Sequence, residues 1–384
     1  MKWETYKLKQ LCSEIVDCVN KTAPTSDVPT PYKMLRTSDI RGGKINLENL
    51  NCVTKEVYEK WTRRGKLQKG DVIFTREAPL GEVGLVREEK NYFLGQRLVL
   101  FRSNDKICDG RFLMYSLLWH DNKQAIISKG VGSTVAHLRV PECENIEIKV
   151  PDLDAQHRIA DILSAYDDLI ENNQKQIKLL EEAAQRFYKE WFVDLRFPGH
   201  ENTEIVDGVP EGWQRGTVGQ IAEFKRGRTI TKAQVKRGNV PVVAGGLEPA
   251  YYHNVANTKA PVITISASGA NAGFVRLYGV DVFASDCSFV DGLGTESLFF
   301  VYEFLKESKV SIDQLQKGSA QPHVYAKDIN AMKITIPEKE YLERFDRYAK
   351  VYFNKIKTLQ GQNERLKIAR DFLLPKLMNG KVEV

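Results

Sequence analysis

The chain repeats itself at an offset of 186 residues. Residues 132–183 fall on 318–369 without a gap, and twelve columns are identical: Gly132/Gly318, Ser133/Ser319, His137/His323, Ile148/Ile334, Pro151/Pro337, Arg158/Arg344, Tyr166/Tyr352, Ile170/Ile356, Gln174/Gln360, Gln176/Gln362, Leu180/Leu366 and Ala183/Ala369. Ordinary composition gives roughly three such matches by chance. Solenoid repeats have periods of about 20–50 residues, so this period is too long for one. The duplicated module must contain a domain and a helix. Two similar halves suit two similar surfaces on one extended partner.

At 384 residues, two or more domains are expected. No apolar run approaches the ~20 residues that span a bilayer, and the first residues lack a signal-peptide core. The six cysteines are scattered without a C-x-x-C pair. That pattern fits reduced thiols in a cytoplasmic protein and argues against a disulfide framework or a metal site. Net charge is +6, and it is uneven: residues 1–150 carry 25 Lys and Arg against 19 Asp and Glu, and residues 211–336 carry 14 against 11. The positive excess therefore sits in the two non-helical blocks, where a phosphate footprint belongs if the partner is a nucleic acid.

Four blocks and a linker organise the chain. Residues 1–150 hold β-like runs at 71–75, 84–86, 97–101 and 145–150, with a helical stretch at 111–118. Residues 213–336 repeat the plan at 261–265, 273–275 and 333–336, with a helix at 298–305. Each block opens on a Trp-led segment, Trp3 or Trp213, and closes on a Pro that stops a strand. Each reads as an α+β domain. Residues 151–196 and 337–384 read as long helices with a heptad seam. The first seam runs Ile159, Leu163, Tyr166, Ile170, Asn173, Ile177, Leu180, Ala184, Phe187 and Trp191. The second runs Phe345, Ala349, Tyr352, Ile356, Leu359, Asn363, Leu366, Arg370, Leu373 and Leu377. Matching registers predict that the helices pack together, with Asn173 and Asn363 as register-setting polar residues. Gly361 weakens the second helix and Pro375 should end or kink it. The turn-rich stretch 197–212 is a linker.

Catalytic motifs are missing. There is no G-x-x-x-x-G-K-[ST] loop, no strand-borne G-x-G-x-x-G, no H-E-x-x-H and no Asn/Asp-Pro-Pro-aromatic tetrapeptide. Glu147 and Lys149 resemble the tail of a nuclease motif, but alternating charge on a solvated strand explains them. No catalytic residue and no metal ligand is assigned, and any chemistry is expected on a partner.

Two basic stretches are candidate DNA contacts: Lys60, Arg63, Arg64, Lys66 and Lys69, and Lys225, Arg226, Arg228, Lys232, Lys236 and Arg237. Lys and Arg interleaved with Gly and Thr suit phosphate, and Arg can also pair bidentately with guanine. A solvated basic loop is the plain alternative. Arg76, just past a strand, is a further candidate. The Gly-rich loops at 129–137 and 317–323 offer backbone N–H groups, Lys129, Ser133 and Thr134 in one copy and Lys317 and Ser319 in the other. That is a possible phosphate nest or a structural turn.

Three further signals carry a family resemblance. The first is the Gly-Ser turn and strand followed by Val-Pro-Asp-Leu-Asp-Ala-Gln-His-Arg-Ile-Ala-Asp-Ile-Leu at 150–163. The second is Phe197-Pro-Gly with Gly-Val-Pro-Glu-Gly-Trp at 208–213, and the third is Leu-Leu-Pro-Lys-Leu-Met-Asn-Gly-Lys at 373–381. With the domain–helix–domain–helix order, the chain resembles the specificity (S) subunit of a type I restriction–modification system. Ala155-Gln156 stands where that family usually has Glu-Gln, and the start of the second helix, from Pro337, departs further.

The resemblance implies an α+β fold with two globular target recognition domains at 1–150 and 213–336. They would be separated by two long antiparallel conserved helices at 151–196 and 337–384, in a pseudo-two-fold duplication. It implies a non-catalytic subunit that reads a bipartite double-stranded DNA target, one half-site per domain. Expected partners are two methyltransferase (M) subunits and restriction/motor (R) subunits. S-adenosylmethionine, ATP and Mg are expected on those partners and no cofactor on this chain. A helix over 157–196 would be about 60 Å long and would set the unread spacer at under two DNA turns. Two rival readings remain: a self-contained methyltransferase or nuclease with fused recognition domains, and a coiled-coil scaffold for proteins.

Overall fold

A computed structural model describes residues 2–132, 135–318 and 321–384. The chain divides into two units, Met1–Ile170 with Glu364–Val384, and Glu171–Asn363. Both have the same plan of α+β domain plus paired helix segments.

In the first unit, a four-stranded antiparallel sheet has the order Cys12–Asp17, Leu98–Ser103, Val72–Thr75, Val83–Leu85. Its strands are apolar on both faces because two cores flank them. Val72, Phe74, Val99 and Phe101 point to a core with the helix Gly110–Leu118, while Ile73, Leu98 and Leu100 point to a core with Val16, Leu35 and Ile40. A second sheet, Asn51–Cys52, Lys33–Leu35, Tyr92–Leu94, covers that other side. Asp109 caps the helix Gly110–Leu118 by accepting from the N–H groups of Arg111 (2.7 Å) and Phe112 (3.2 Å). The opening strand Glu4–Lys7 pairs antiparallel with Glu147–Val150, which leads into the first long helix.

The second unit repeats the two sheets and the domain helix, while the hairpin Ile40–Arg41 with Lys44–Ile45 and the helix Lys55–Trp61 of the first unit have no counterpart among its described residues. Its four-stranded sheet has the order Lys225–Arg226, Cys287–Asp291, Val262–Ser266, Val275–Tyr278. Its three-stranded sheet is Tyr251–His253, Val240–Val243, Phe283–Ala284, again with one parallel pair. Its opening strand Gln214–Thr217 pairs with Lys333–Ile336, and the helix Leu298–Glu307 stands where Gly110–Leu118 does. The linker stretch carries a small hairpin, Ile205–Val206 with Val209–Pro210.

The first long helix is Leu153–Tyr188, and it continues into a π-helical turn, Lys189–Val193. It starts four residues before the expected 157 because Asp152 caps it, accepting from the Ala155 N–H at 2.9 Å. The second long helix, Lys339–Met378, is the more regular one. It runs through Gly361 and Pro375 and ends three residues past the proline.

Within each unit the two helix segments are antiparallel. In the first unit, Asp167 bonds to Arg370, while Ile159 and Leu163 share a core with Leu377. In the second, the Asn173 amide donates to Asn363 Oδ1 at 2.9 Å and Phe187 stacks on Phe345 at 5.0 Å. Most expected seam positions face inward. Ile170, Asn173, Ile356, Leu359 and Asn363 are buried, and Ile177, Leu180 and Phe187 are partly buried against the core. Leu366 and Leu373 are half-buried in the first unit.

One seam expectation needs correction. At Tyr166 the inward residue is instead Asp167, because Tyr115 of the helix Gly110–Leu118 donates its hydroxyl to Asp167 at 2.6 Å and Arg370 meets the same carboxylate. Tyr352 packs partly buried against the core beside Phe353, which is buried deeper and stacks on Phe299 at 4.9 Å. In both places the neighbouring domain helix draws in the residue beside the heptad position.

Aromatic side chains join the second domain to its helices. Tyr188, Phe192 and Phe345 pack with Phe300 of the domain helix, Trp191 packs on Phe345, and Phe197 and Trp213 close over the π-turn. Asp346 accepts from the N–H groups of Phe299 and Phe300 at 3.2 and 2.9 Å, so a long-helix carboxylate caps a domain helix.

Asn363→Leu should strand the buried Asn173 amide and destabilise the protein by about 1–3 kcal/mol, while the Asn173→Leu/Asn363→Leu double variant recovers most of that loss. Denaturant midpoints test this, and a double variant as unstable as the single one would refute it. Burial pushes the Glu303 carboxyl up to about 8, and it pushes Asp346 up to about 7 against the lowering effect of its two backbone bonds. Unfolded, these groups return toward 4.5 and 3.8. Over that window the folded protein holds protons that the unfolded chain releases, so this contribution favours folding at low pH and is lost as pH rises through 7 and 8. Glu303→Gln with Asp346→Asn should flatten the fall in melting temperature between pH 5 and pH 8.5. An unchanged slope by calorimetry would count against it.

Candidate nucleic-acid interface

Inner strands buried on both faces leave the edge strands and the connecting loops to meet a ligand. In the first unit, Asp17, Leu98, Thr75 and Val83 lie at one end of the four-stranded sheet. The loops leaving that end are 18–32, 76–82 and 95–97. The opposite end meets the first long helix, where Arg111 pairs with Asp161 at 2.6 Å and the Gln156 side chain accepts from the Asp109 N–H. In the second unit, Arg226, Ser266, Cys287 and Val275 mark the matching end. Its loops are 227–239, 267–274 and 284–286.

The same device stitches this end together in both units. His137 forms β-bridges to Val131 and Glu77, and His323 forms them to Lys317 and Ser268. Leu138 N–H donates to Arg76 O, and Val324 N–H donates to Ala267 O, each at 3.0 Å. The repeat-matched Gly-rich turns are therefore structural frames that clamp the loop after the sheet's inner strand. Ser133, Thr134 and Ser319 lie outside the described residues.

The two basic stretches reach this end unequally. In the second unit, Lys225 and Arg226 form the edge strand, and Arg228, Lys232, Lys236 and Arg237 are all exposed on the loop that follows. That loop is held close: Arg228 N–H donates to Ala284 O (3.0 Å), Ile230 N–H to Ser285 Oγ (3.3 Å) and Lys236 N–H to His253 Nδ1 (3.0 Å). Gly227 permits this approach, since a Cβ there would sit 2.4 Å from Ser285 O. In the first unit, Arg64 donates to Cys18 O at 3.0 Å, and Trp61, next to Lys60, donates to Lys21 O at 3.3 Å. Lys60, Arg63 and Arg64 are thus at or beside the loop end. Lys66 and Lys69 are not. The Lys66 carbonyl accepts from Arg102, and Lys69 lines a cleft with Ser103 and Asp105 at the far end of the sheet.

Two of the other three candidates have structural partners. Arg76 is turned inward, 3.1 Å from Asp17 and donating to Leu138 O at 3.2 Å. Lys317 is 2.8 Å from Asp328. Lys129 is exposed at the end of the helix His120–Ser128.

Several loop-end residues went unnoticed in the sequence. Arg97 and Glu77 form an ion pair at 3.4 Å. Asp286 accepts from Ser268 and lies 3.7 Å from Arg226. Tyr325 carries Lys317 and Lys327 over its ring, each at 5.9 Å. These side chains are not basic clusters and share no motif. The only sequence pointer to them is the matched His137/His323 pair whose bridges hold their loops.

Among the described residues there is no group of His, Cys, Asp and Glu that could hold a metal, and no helix is long and apolar enough to cross a membrane. All six cysteines are free thiols.

Comparison with known proteins places this architecture. A type I restriction enzyme specificity subunit of Methanocaldococcus jannaschii (MjaIX) is 26% identical over 341 residues, covering 82% of this chain and 78% of that protein. A putative second one from the same organism (MjaX) is 25% identical over 406 residues, covering 100% and 94%. The crystal structure of a type I restriction–modification S subunit from M. genitalium matches with a TM-score of 0.63 at 20% identity, covering 98% of this chain and 96% of that one, which shows a shared fold. Residues 1–182 and 210–367 both match the type I restriction modification DNA specificity domain. With two copies of that domain covering most of its length, the chain belongs to the type I restriction–modification specificity family.

Proposed function

We propose that this chain is the DNA-recognition subunit of a type I restriction–modification complex. Each domain reads one half of a bipartite site through the loop end of its four-stranded sheet. Basic residues there, chiefly Arg64 with Lys60 and Arg63 in the first domain and Lys225 to Arg237 in the second, contact phosphate and position the loops on the duplex. The paired helices link the two readers and present the docking surface for two M subunits. Methyl transfer, ATP hydrolysis and cleavage belong to the M and R subunits, which carry S-adenosylmethionine, ATP and Mg.

One observation carries this reading: two domains of one plan, stitched by matched His bridges, present unlike loops at the same end of their sheets, with exposed basic residues on or beside them. A shared frame with divergent tips suits two different half-sites. The family membership supports it, and the missing catalytic motifs support a non-catalytic role over a fused enzyme. A protein-only scaffold leaves the exposed basic loops unexplained.

The assembled specificity–methyltransferase complex should bind duplex DNA with strong salt dependence. Replacing Lys232, Lys236 and Arg237 by Ala should weaken binding to all sequences alike and lower the slope of log K against log salt by up to about three. Salt-independent binding, or an unchanged slope in the triple variant, would overturn the reading. The purified chain alone, given DNA and S-adenosylmethionine, should transfer no methyl group, and turnover there would favour the fused-enzyme alternative.

A further inference from the structure

We infer that the residue just before the second strand of each four-stranded sheet selects a base, and that Arg97 and Asp286 do so with opposite chemistry, guanine for the first domain and cytosine for the second. The inference rests on the DNA-reading role proposed above.

The two positions are equivalent in the fold. Arg97 precedes Leu98, which pairs with Thr75, and Asp286 precedes Cys287, which pairs with Ser266. Two residues beyond those partners stand Glu77 and Ser268, each in the bridge to the matched histidine. Arg97 meets Glu77 through its Nε at 3.4 Å, and Asp286 accepts a hydrogen bond from the Ser268 hydroxyl. The same two slots therefore hold Arg over Glu in one domain and Asp over Ser in the other.

Each side chain is anchored on one side and open on the other. Arg97 is 51% exposed, and its Nε contact leaves the two terminal nitrogens for a bidentate approach to guanine O6 and N7. Asp286 is 33% exposed; its Oδ2 accepts from Ser268, and its Oδ1, which faces the Arg226 guanidinium at 3.7 Å, keeps lone-pair capacity to accept from the cytosine amino group. A carboxylate near DNA needs local positive charge, and Arg226 supplies it 3.7 Å away, with Lys225 and Arg228 adjacent in sequence. Arg97 also sits at φ +69°, and Ala78, next to Glu77, at +48°. Non-glycine residues in the left-handed region are uncommon and gather at functional sites.

The test uses the full chain assembled with its methyltransferase partner, S-adenosylmethionine and a duplex library randomised in both half-sites, with the methylated products sequenced. Arg97→Gln should cut the preference for guanine roughly tenfold at one position of one half-site and leave the other half-site unchanged. Asp286→Asn should do the same for cytosine at one position of the other half-site. The untouched half-site reports that each variant is folded and assembled. Wild-type preferences at every position, or an equal loosening of both half-sites, would overturn the inference. A wild-type complex that methylates without half-site preference would instead refute the DNA-reading role itself.

Discussion

Burial of both faces of the inner strands of each four-stranded sheet is the constraint on which the rest depends. Val72, Ile73, Phe74 and Thr75 are all buried, as are all five residues of Val262–Ser266. Alternate side chains fill one core against the domain helix and another against the smaller sheet. Fully burying one such side chain is worth about 1.5–3 kcal/mol, so none is free to serve a ligand. Variation is pushed into the loops. One end of the sheet is occupied by the long helix, so the other end alone can diverge between copies.

The duplicated halves keep their frame and solve its joints differently. In the first unit, the domain meets its helices through polar contacts: Tyr115 on Asp167, Arg370 on the same carboxylate, and Gln156 bonded to the Ile107 and Pro151 carbonyls. In the second, stacked aromatics and the Asp346 cap do that work. Both solutions satisfy the same need, to hold a domain helix against a long helix. Such different joints suggest that the interface chemistry drifted while the geometry stayed.

Much of this was legible in the chain itself. Periodicity located the long helices and most of their seam, because burial on one helical face leaves a direct imprint every three to four residues. Exposure of Lys232, Lys236 and Arg237 is likewise implied by a run of charge among turn residues. The strand Cys12–Asp17 escaped notice, since Ser13 and Glu14 interrupt its apolar pattern and pairing with Leu98–Ser103 supplies what propensity lacks. Arg76 read as a ligand contact, but Asp17, distant in sequence, turns it inward. Lys66 and Lys69 sat in a promising basic run whose backbone carries them to the wrong end of the sheet.

By itself the sequence determined the duplication, the order of domain and helix, and the absence of known catalytic motifs, because each rests on residue identity and spacing along one dimension. Only the tertiary structure decided which loops share an end, which basic residues reach it, and that Arg97 and Asp286 occupy one slot in two copies. Those are relations between strands far apart in the chain. Strand pairing sets them through backbone hydrogen bonds, which every residue but proline makes alike and which therefore leave little trace in side-chain identity.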